Sequence, residues 1–334
     1  MPPIIIATRG SALALAQANS ILAQCRAAFP ALDFQIKIFK TTGDKLQTAS
    51  LADANLPKGL FTKELELALL NRQADLAVHS LKDLPTDLPP GLILGATGKR
   101  EDVRDILIFR DAAKSLAGKR GFKPGTTLAQ LPAGAVIATS STRRSAQVLE
   151  RRPDLHVVPI RGNVPTRLKK VAEQAEMDAV VLAAAGLRRL NYEIRPDGKL
   201  LAGRHPGGDA GPELYAPENL LATRLELDEM LPCVGQAAIG IEIREGDPEL
   251  ARVCEKLNDP HTFQCVTAER AFLRAMGGGC QLAVAACAEV IGEEIWMRAV
   301  SFLGARPQRT EVRGKIGAAE ELGRTLAVKL SAGR

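Results

Sequence analysis

Arg143 and Arg144 stand side by side in Thr139-Ser140-Ser141-Thr142-Arg143-Arg144, and Arg161, Arg167 and Arg189 follow in the next stretches. A guanidinium is a planar fork of donors that matches a carboxylate two bonds at a time. Most single surface arginines merely form a solvated basic face. Arginines at the ends of successive strand-like runs point instead to a polycarboxylate or phosphate ligand. Arg9 and Ser11 follow the first such run, Ile4-Ile5-Ile6-Ala7-Thr8, in the same way. Ser11 and Ser141 each precede a helix-forming stretch, so helix N-termini add backbone N–H donors there.

Two further places carry chemistry. In His79-Ser80-Leu81-Lys82-Asp83, a carboxylate beside a lysine at a strand end can stabilise a developing cation or handle a proton. Residue chemistry alone favours the plainer reading of Asp83, a loop aspartate that caps a turn. His79 reads as a satisfied strand histidine, because a Ser–His–Asp hydrolase needs a geometry that a contiguous run rarely gives. In Gly277-Gly278-Gly279-Cys280-Gln281 a cysteine sits on a glycine turn, exposed enough to react where most free cysteines are buried and inert. The same run is equally a glycine turn with an incidental cysteine.

The elements that must position these residues follow from periodicity. Ala12–Ala28 reads as a helix, Phe34–Ile38 as an alternating strand, Lys45–Pro57 as a mobile loop and Phe61–Asn71 as a helix. Asp75–Ser80 is a strand with Leu81–Pro85 as its loop. The order then repeats: Ala135–Thr139 as strand, Ser140–Glu150 as helix, His156–Ile160 and Asp178–Leu182 as strands, Gly186–Leu190 as loop. This predicts a duplication, two α/β lobes with parallel-type strand–helix alternation. Ligands of such sheets bind outside the carboxyl ends of the strands, so the cationic residues would line a cleft between the lobes. Asn191–Leu221, rich in Gly, Pro and charge, reads as an insertion. Leu231–Gln236 reads as a crossing back to the first lobe, and the chain after about 258 as an α+β unit. The expected domains are 1–98 with 233–257, then 99–232 with the insertion at 191–221, then 258–334.

Composition excludes several classes. The 334 residues carry 44 Lys and Arg against 38 Asp and Glu, a net charge of +6. That suggests an anionic partner without naming it. Aromatic residues are only 4%, too few for the stacking platforms of a single-strand nucleic-acid binder. No uncharged apolar run approaches a bilayer span, and the N-terminus lacks a basic signal-peptide region, so a cytoplasmic protein is expected. The six cysteines, 25, 233, 254, 265, 280 and 287, show no zinc or iron–sulfur spacing, and no metal is expected. No phosphate-binding glycine motif is present.

Seven motifs in order resemble the hydroxymethylbilane synthase (porphobilinogen deaminase) family over nearly the whole chain. They are Ile6–Leu15, Lys58–Glu66, Ala77–Pro85, Thr139–Arg144, Arg161–Leu168, Val234-Gly235-Gln236 and Gly278-Gly279-Cys280-Gln281. The resemblance implies two lobes like those of type II periplasmic binding proteins plus a small C-terminal α+β domain. It implies an enzyme that joins four porphobilinogens head to tail with release of ammonia, working in the cytoplasm as a monomer without nucleic acid or membrane. It also implies a dipyrromethane cofactor linked by a thioether to Cys280. Asp83 matches the catalytic carboxylate. Lys82, Asp83, Ser141, Arg143, Arg144, Arg167 and Arg189 match cofactor-binding positions. Arg9, Ser11, Phe61, Arg161, Arg167, Arg189 and Gln236 match substrate-binding ones. The chain departs from the family where Gly-Gln-Gly-Ala becomes Gly235-Gln236-Ala237-Ala238. It departs again where Asp53 and Asn55 stand near a lysine of many relatives. A non-enzymatic anion-binding module of the periplasmic type is the alternative reading, and a nucleic-acid binder supported only by net charge is a third.

Overall fold

The computed structural model describes residues 2–45, 59–115, 118–203, 218–279 and 281–331. The chain divides into two compact units: Met1–Leu46, Ala54–Glu101 and Cys233–Arg334 form the first, Gln47–Asp53 and Asp102–Pro232 the second.

The first unit begins with β1 (Ile4–Thr8), α1 (Ala12–Ala28), β2 (Phe34–Ile38), α2 (Thr42–Lys45), α3 (Lys63–Leu70), β3 (Leu76–Ser80) and β4 (Leu92–Thr97). Ser11 caps α1, its hydroxyl accepting from Ala14 N at 3.3 Å. The buried stripe Ala14, Gln17, Ala18, Ile21 and Cys25 has helical spacing and lies over the sheet. Asp75, just before β3, accepts from Ile5 N at 2.8 Å and so fixes β3 beside β1.

The second unit holds β5 (Asp105–Arg110), β6 (Val136–Ala138), α4 (Thr142–Arg151), β7 (His156–Val158), α5 (Val164–Glu173), β8 (Ala179–Ala183), α6 (Ala184–Arg189), β9 (Tyr192–Ile194), β10 (Leu200–Ala202) and β11 (Leu220–Leu225). Every residue of β5 is buried, as expected of a strand covered on both faces. The chain then returns to the first unit as β12 (Ile239–Arg244) and α7 (Pro248–Leu257). It continues as α8 (Pro260–Ala275), β13 (Val284–Ile291), β14 (Glu294–Ser301), β15 (Gln308–Lys315) and α9 (Ala319–Ser331).

The two five-stranded sheets have orders β2-β1-β3-β12-β4 and β7-β6-β8-β5-β11. They are the same order. In each, three parallel strands are followed by one antiparallel strand that begins just after the chain crosses between units, then by a last strand. The expected duplication is present as two lobes that share one strand order. Beside the parallel-type alternation read from the sequence, each sheet holds one crossing strand, β12 or β5, that enters from the opposite direction. Residues 186–190 are not a loop but lie largely in α6, whose last turn carries Arg188 and Arg189. Within the stretch 191–221, β9 and β10 pair antiparallel with each other, and Leu220 and Leu221 belong to β11. Residues 204–217, and the loop 45–57 beyond Lys45, lie outside the described residues.

The C-terminal part is α+β and has its own core, where Phe272, Ile295, Met297, Leu326 and Leu330 are buried together under the antiparallel sheet β13-β14-β15. Gly323 lets α9 approach α8 closely, because a Cβ there would strike the Ala268 carbonyl. No helix among the described residues is long and apolar enough to cross a membrane.

Candidate functional site

In the first unit the strand ends of β1 and β3 carry the expected residues. Arg9 follows β1, and its guanidinium lies 4.2 Å from the centre of the Phe61 ring. This cation–π contact orients Arg9. Ser11 spends an oxygen lone pair on the α1 cap and keeps its proton for a further partner.

Asp83 closes a single 3-10 turn, Leu81–Asp83, directly after β3. It is exposed, and its carboxylate makes no hydrogen bond to the described residues. Its backbone, by contrast, is fixed. Ser80, at the end of β3, exchanges hydrogen bonds with Gln17 of α1 at 2.8 and 3.1 Å. Leu81 N donates to Ala238 O at 3.1 Å, and Leu84 N closes the turn onto Leu81 O. Gly235, at φ +71°, packs against the Leu81-Lys82 backbone, where a Cβ would come within 3.2 Å of the Lys82 main-chain nitrogen. A free carboxylate on a held backbone suits electrostatic work.

Gln236 is fully buried, and its amide oxygen accepts from Cys233 Sγ at 3.3 Å. Its side chain, expected to meet substrate, is enclosed within the 235–238 turn. Ala237 occupies the left-handed region at φ +71°. An L-residue is disfavoured there, and the family's usual glycine would adopt it freely. Ala237→Gly is expected to raise stability by about 1 kcal/mol, read from the urea unfolding midpoint. No gain would mean that the turn relaxes without cost.

The 235–238 turn is tied to the C-terminal part by a buried network. Arg100 holds Glu269 through both guanidinium nitrogens at 2.7 and 3.0 Å and donates through Nε to Gln236 O at 2.9 Å. Glu269 also accepts from Gly235 N and Ala288 N, both at 2.8 Å. Burial disfavours the charged Arg100, but Glu269 outweighs it and raises the guanidinium above its usual range. Every acceptor site of Glu269 is thus used, which makes a fully buried carboxylate tolerable.

In the second unit Ser141 caps α4, accepting from Arg144 N at 3.4 Å. Arg143 and Arg144 differ from the solvated basic face that single arginines suggest. They are 3% and 7% exposed, and both bind the fully buried Asp105, at 2.8 and 2.7 Å. Arg143 also donates to Leu231 O and Arg144 to Val181 O. An incoming carboxylate would share these guanidiniums with the chain's own aspartate. Burial pushes Asp105 up, but the two arginines outweigh it and hold its carboxyl well below the usual carboxylate range. Its stabilisation is therefore present above the ordinary carboxylate pKa and is lost only as pH falls through the lowered value. Arg143→Leu or Arg144→Leu is expected to cost about 3 kcal/mol in urea unfolding, because half the compensation of a buried charge disappears. A loss below about 1 kcal/mol would contradict that.

The remaining arginines are less enclosed. Arg161 is half-buried, and its Nη2 has no hydrogen-bond partner among the described residues. Arg143 Nε is in the same condition. Arg167 Nε donates to Gly162 O at 2.8 Å beside the Asn163 cap of α5, and Arg189 ends α6. His79 is the satisfied strand histidine expected: its Nε2 lies 3.0 Å from Glu242 Oε2, with both buried. Cys280 lies outside the described residues. Of the other cysteines, burial pushes Cys25 up to about 11 and Cys254, Cys265 and Cys287 up to about 12. Cys233 is half-buried.

Sequence reasoning missed Asp105, Glu269 and Arg100. The only local signal was a charged run, Lys99–Asp105, set before the apolar strand Ile106–Phe109. Its partners are remote in the chain.

Two family models match the chain: "Porphobilinogen deaminase, dipyromethane cofactor binding domain" over residues 4–252, and "Porphobilinogen deaminase, C-terminal domain" over 263–332. Relatives named porphobilinogen deaminase match along nearly the full length. That of Desulforudis audaxviator is 41% identical over 329 residues, 98% of this chain and 94% of the relative. That of Moorella thermoacetica is 42% identical, covering 99% and 94%. That of Sorangium cellulosum is 42% identical, covering 99% of both.

Proposed function

Since the chain belongs to the porphobilinogen deaminase family, we propose that Asp83 is its catalytic carboxylate and that its strand-end arginines hold the carboxylates of substrate and cofactor. The enzyme is a transferase of tetrapyrrole and heme biosynthesis, which condenses four porphobilinogens into hydroxymethylbilane with release of ammonia. It contains the family's dipyrromethane-binding domain. The alternative of a non-enzymatic anion-binding module falls with that membership.

A dipyrromethane bears an acetate and a propionate on each ring, so its recognition calls for several cations and N–H donors. The residues present fit it: Arg161 and Arg143 each keep a buried N–H without a partner among the described residues. Lys82, Asp83, Ser141, Arg143, Arg144, Arg167 and Arg189 would hold the group, with Cys280 as its thioether anchor. When bound, it supplies a pyrrole with a free α-carbon as the first acceptor.

Arg9, Ser11, Arg161, Arg167 and Arg189 orient porphobilinogen through its two carboxylates, and Phe61 keeps Arg9 in place. Gln236 serves indirectly, through the turn against Lys82. Loss of ammonia from porphobilinogen leaves a cationic methylene-pyrrole. Asp83 stabilises that cation and accepts from the pyrrole N–H, and it is placed to take up the proton released when the new bond forms. The enzyme works in the cytoplasm as a monomer, without nucleic acid or membrane. The thiols unpaired among the described cysteines are consistent with a reducing compartment.

The observation that carries this reading is the exposed Asp83 carboxylate on a backbone held at both ends. Asp83→Glu keeps the charge and moves it by one methylene. It is expected to lower kcat about tenfold or more with KM for porphobilinogen little changed. A wild-type kcat would remove Asp83 from the chemistry.

A further inference from the structure

Leu84-Pro85-Thr86, the segment directly after Asp83, presents three successive carbonyls to one helix. Arg270 of α8 donates through Nη1 to Leu84 O at 3.2 Å and through Nη2 to Pro85 O at 2.6 Å and Thr86 O at 3.2 Å. Arg274, one turn further along the same face, donates through Nη2 to Thr86 O at 2.6 Å and pairs through Nε with Asp87 at 2.7 Å. Arg270 is 8% exposed. One nearly buried guanidinium thus engages three successive backbone oxygens of this segment.

The residue before it completes the arrangement. Glu269 grips Gly235 N, and Gly235 packs against Lys82. Two consecutive residues of α8 therefore bracket the Leu81–Asp83 turn, Glu269 through the turn packed on its front and Arg270 through the carbonyls that follow it. Proline 85 has no N–H and the segment forms no strand, so these carbonyls have no ladder to fix them.

We propose that Arg270, seconded by Arg274, is a positioning residue: through α8 the C-terminal part of the chain sets the direction of the Asp83 carboxylate. The inference rests on Asp83 being the catalytic carboxylate. It requires the planar fork, because a lysine ammonium on a flexible stem cannot hold three carbonyls in one plane.

The test is a double-mutant cycle on cofactor-loaded enzyme with porphobilinogen, using Arg270→Lys and Asp83→Glu. Arg270→Lys is expected to lower kcat about tenfold or more, with KM within about twofold and cofactor loading by intact mass unchanged. Once the carboxylate is displaced by Asp83→Glu, aiming the loop matters less. The double variant should then lose at least about fivefold less than the product of the two single losses. Multiplicative losses would overturn the proposal. So would a lower thermal midpoint with a wild-type kcat, the signature of a purely structural contact. Arg274→Gln, at a half-exposed position that leaves the fold intact, should lower kcat about threefold with the same coupling; an unchanged kcat there counts against it. A wild-type kcat for Asp83→Glu would sink the catalytic reading of Asp83 and the inference with it.

Discussion

Asp83→Ala is expected to reduce hydroxymethylbilane formation by about 10³-fold while the protein folds normally. The magnitude follows from the charge it opposes. A carboxylate about 4 Å from a developing cation, at the effective dielectric of a partly enclosed site, is worth about 4 kcal/mol. Each ~1.4 kcal/mol is a factor of ten in rate. Removing a proton acceptor adds to the loss. Folding should be spared because the carboxylate is exposed and makes no hydrogen bond to the described residues. Exposed substitutions of that kind usually stay within about 0.5 kcal/mol. Circular dichroism and the unfolding midpoint check the fold, and bilane formation checks the rate. A variant within tenfold of wild type would move the catalytic role elsewhere.

Cys280→Ser should abolish turnover altogether, because no thioether can form and the chain has no other suitable thiol. Four of the remaining cysteines are buried, with thiols pushed up to about 11 or 12, where the thiolate is scarce at neutral pH. Cys233 is half-buried and donates to Gln236 at 3.3 Å, a structural task. Turnover by the serine variant at more than a few per cent of wild type would exclude Cys280 as the anchor. Alkylation offers a parallel measure: Cys25, Cys254, Cys265 and Cys287 should stay unlabelled in the folded protein.

What the sequence revealed was local, and what it hid was not. The first strand, the Ser11 and Ser141 caps and α1 were legible because capping and helical spacing are written in adjacent residues. The order of the sheets was not, since β12 enters between β3 and β4 from far along the chain, and β5 likewise joins β8 and β11. Helix α6 was read as a loop because it is six residues long and contains Gly186. The arginines were legible as cations but not as buried ones. Asp105, which buries Arg143, lies 38 residues away, and the carbonyls held by Arg270 begin 186 residues away. Gln236 illustrates the same limit: its motif marks it as important, and only the fold shows its side chain enclosed and bonded to Cys233.

The central claim is that this chain builds bilane on a primer fixed to Cys280, beside a carboxylate that stabilises each cation in turn. Intact mass spectrometry of the purified protein and of Cys280→Ser tests it most directly. Two porphobilinogens condensing onto the thiol lose two ammonias. The wild-type protein should therefore exceed its sequence mass by two porphobilinogen units less two ammonias, and Cys280→Ser should show the bare mass. Active wild-type protein at the bare sequence mass, or a serine variant that keeps the excess, would contradict the account.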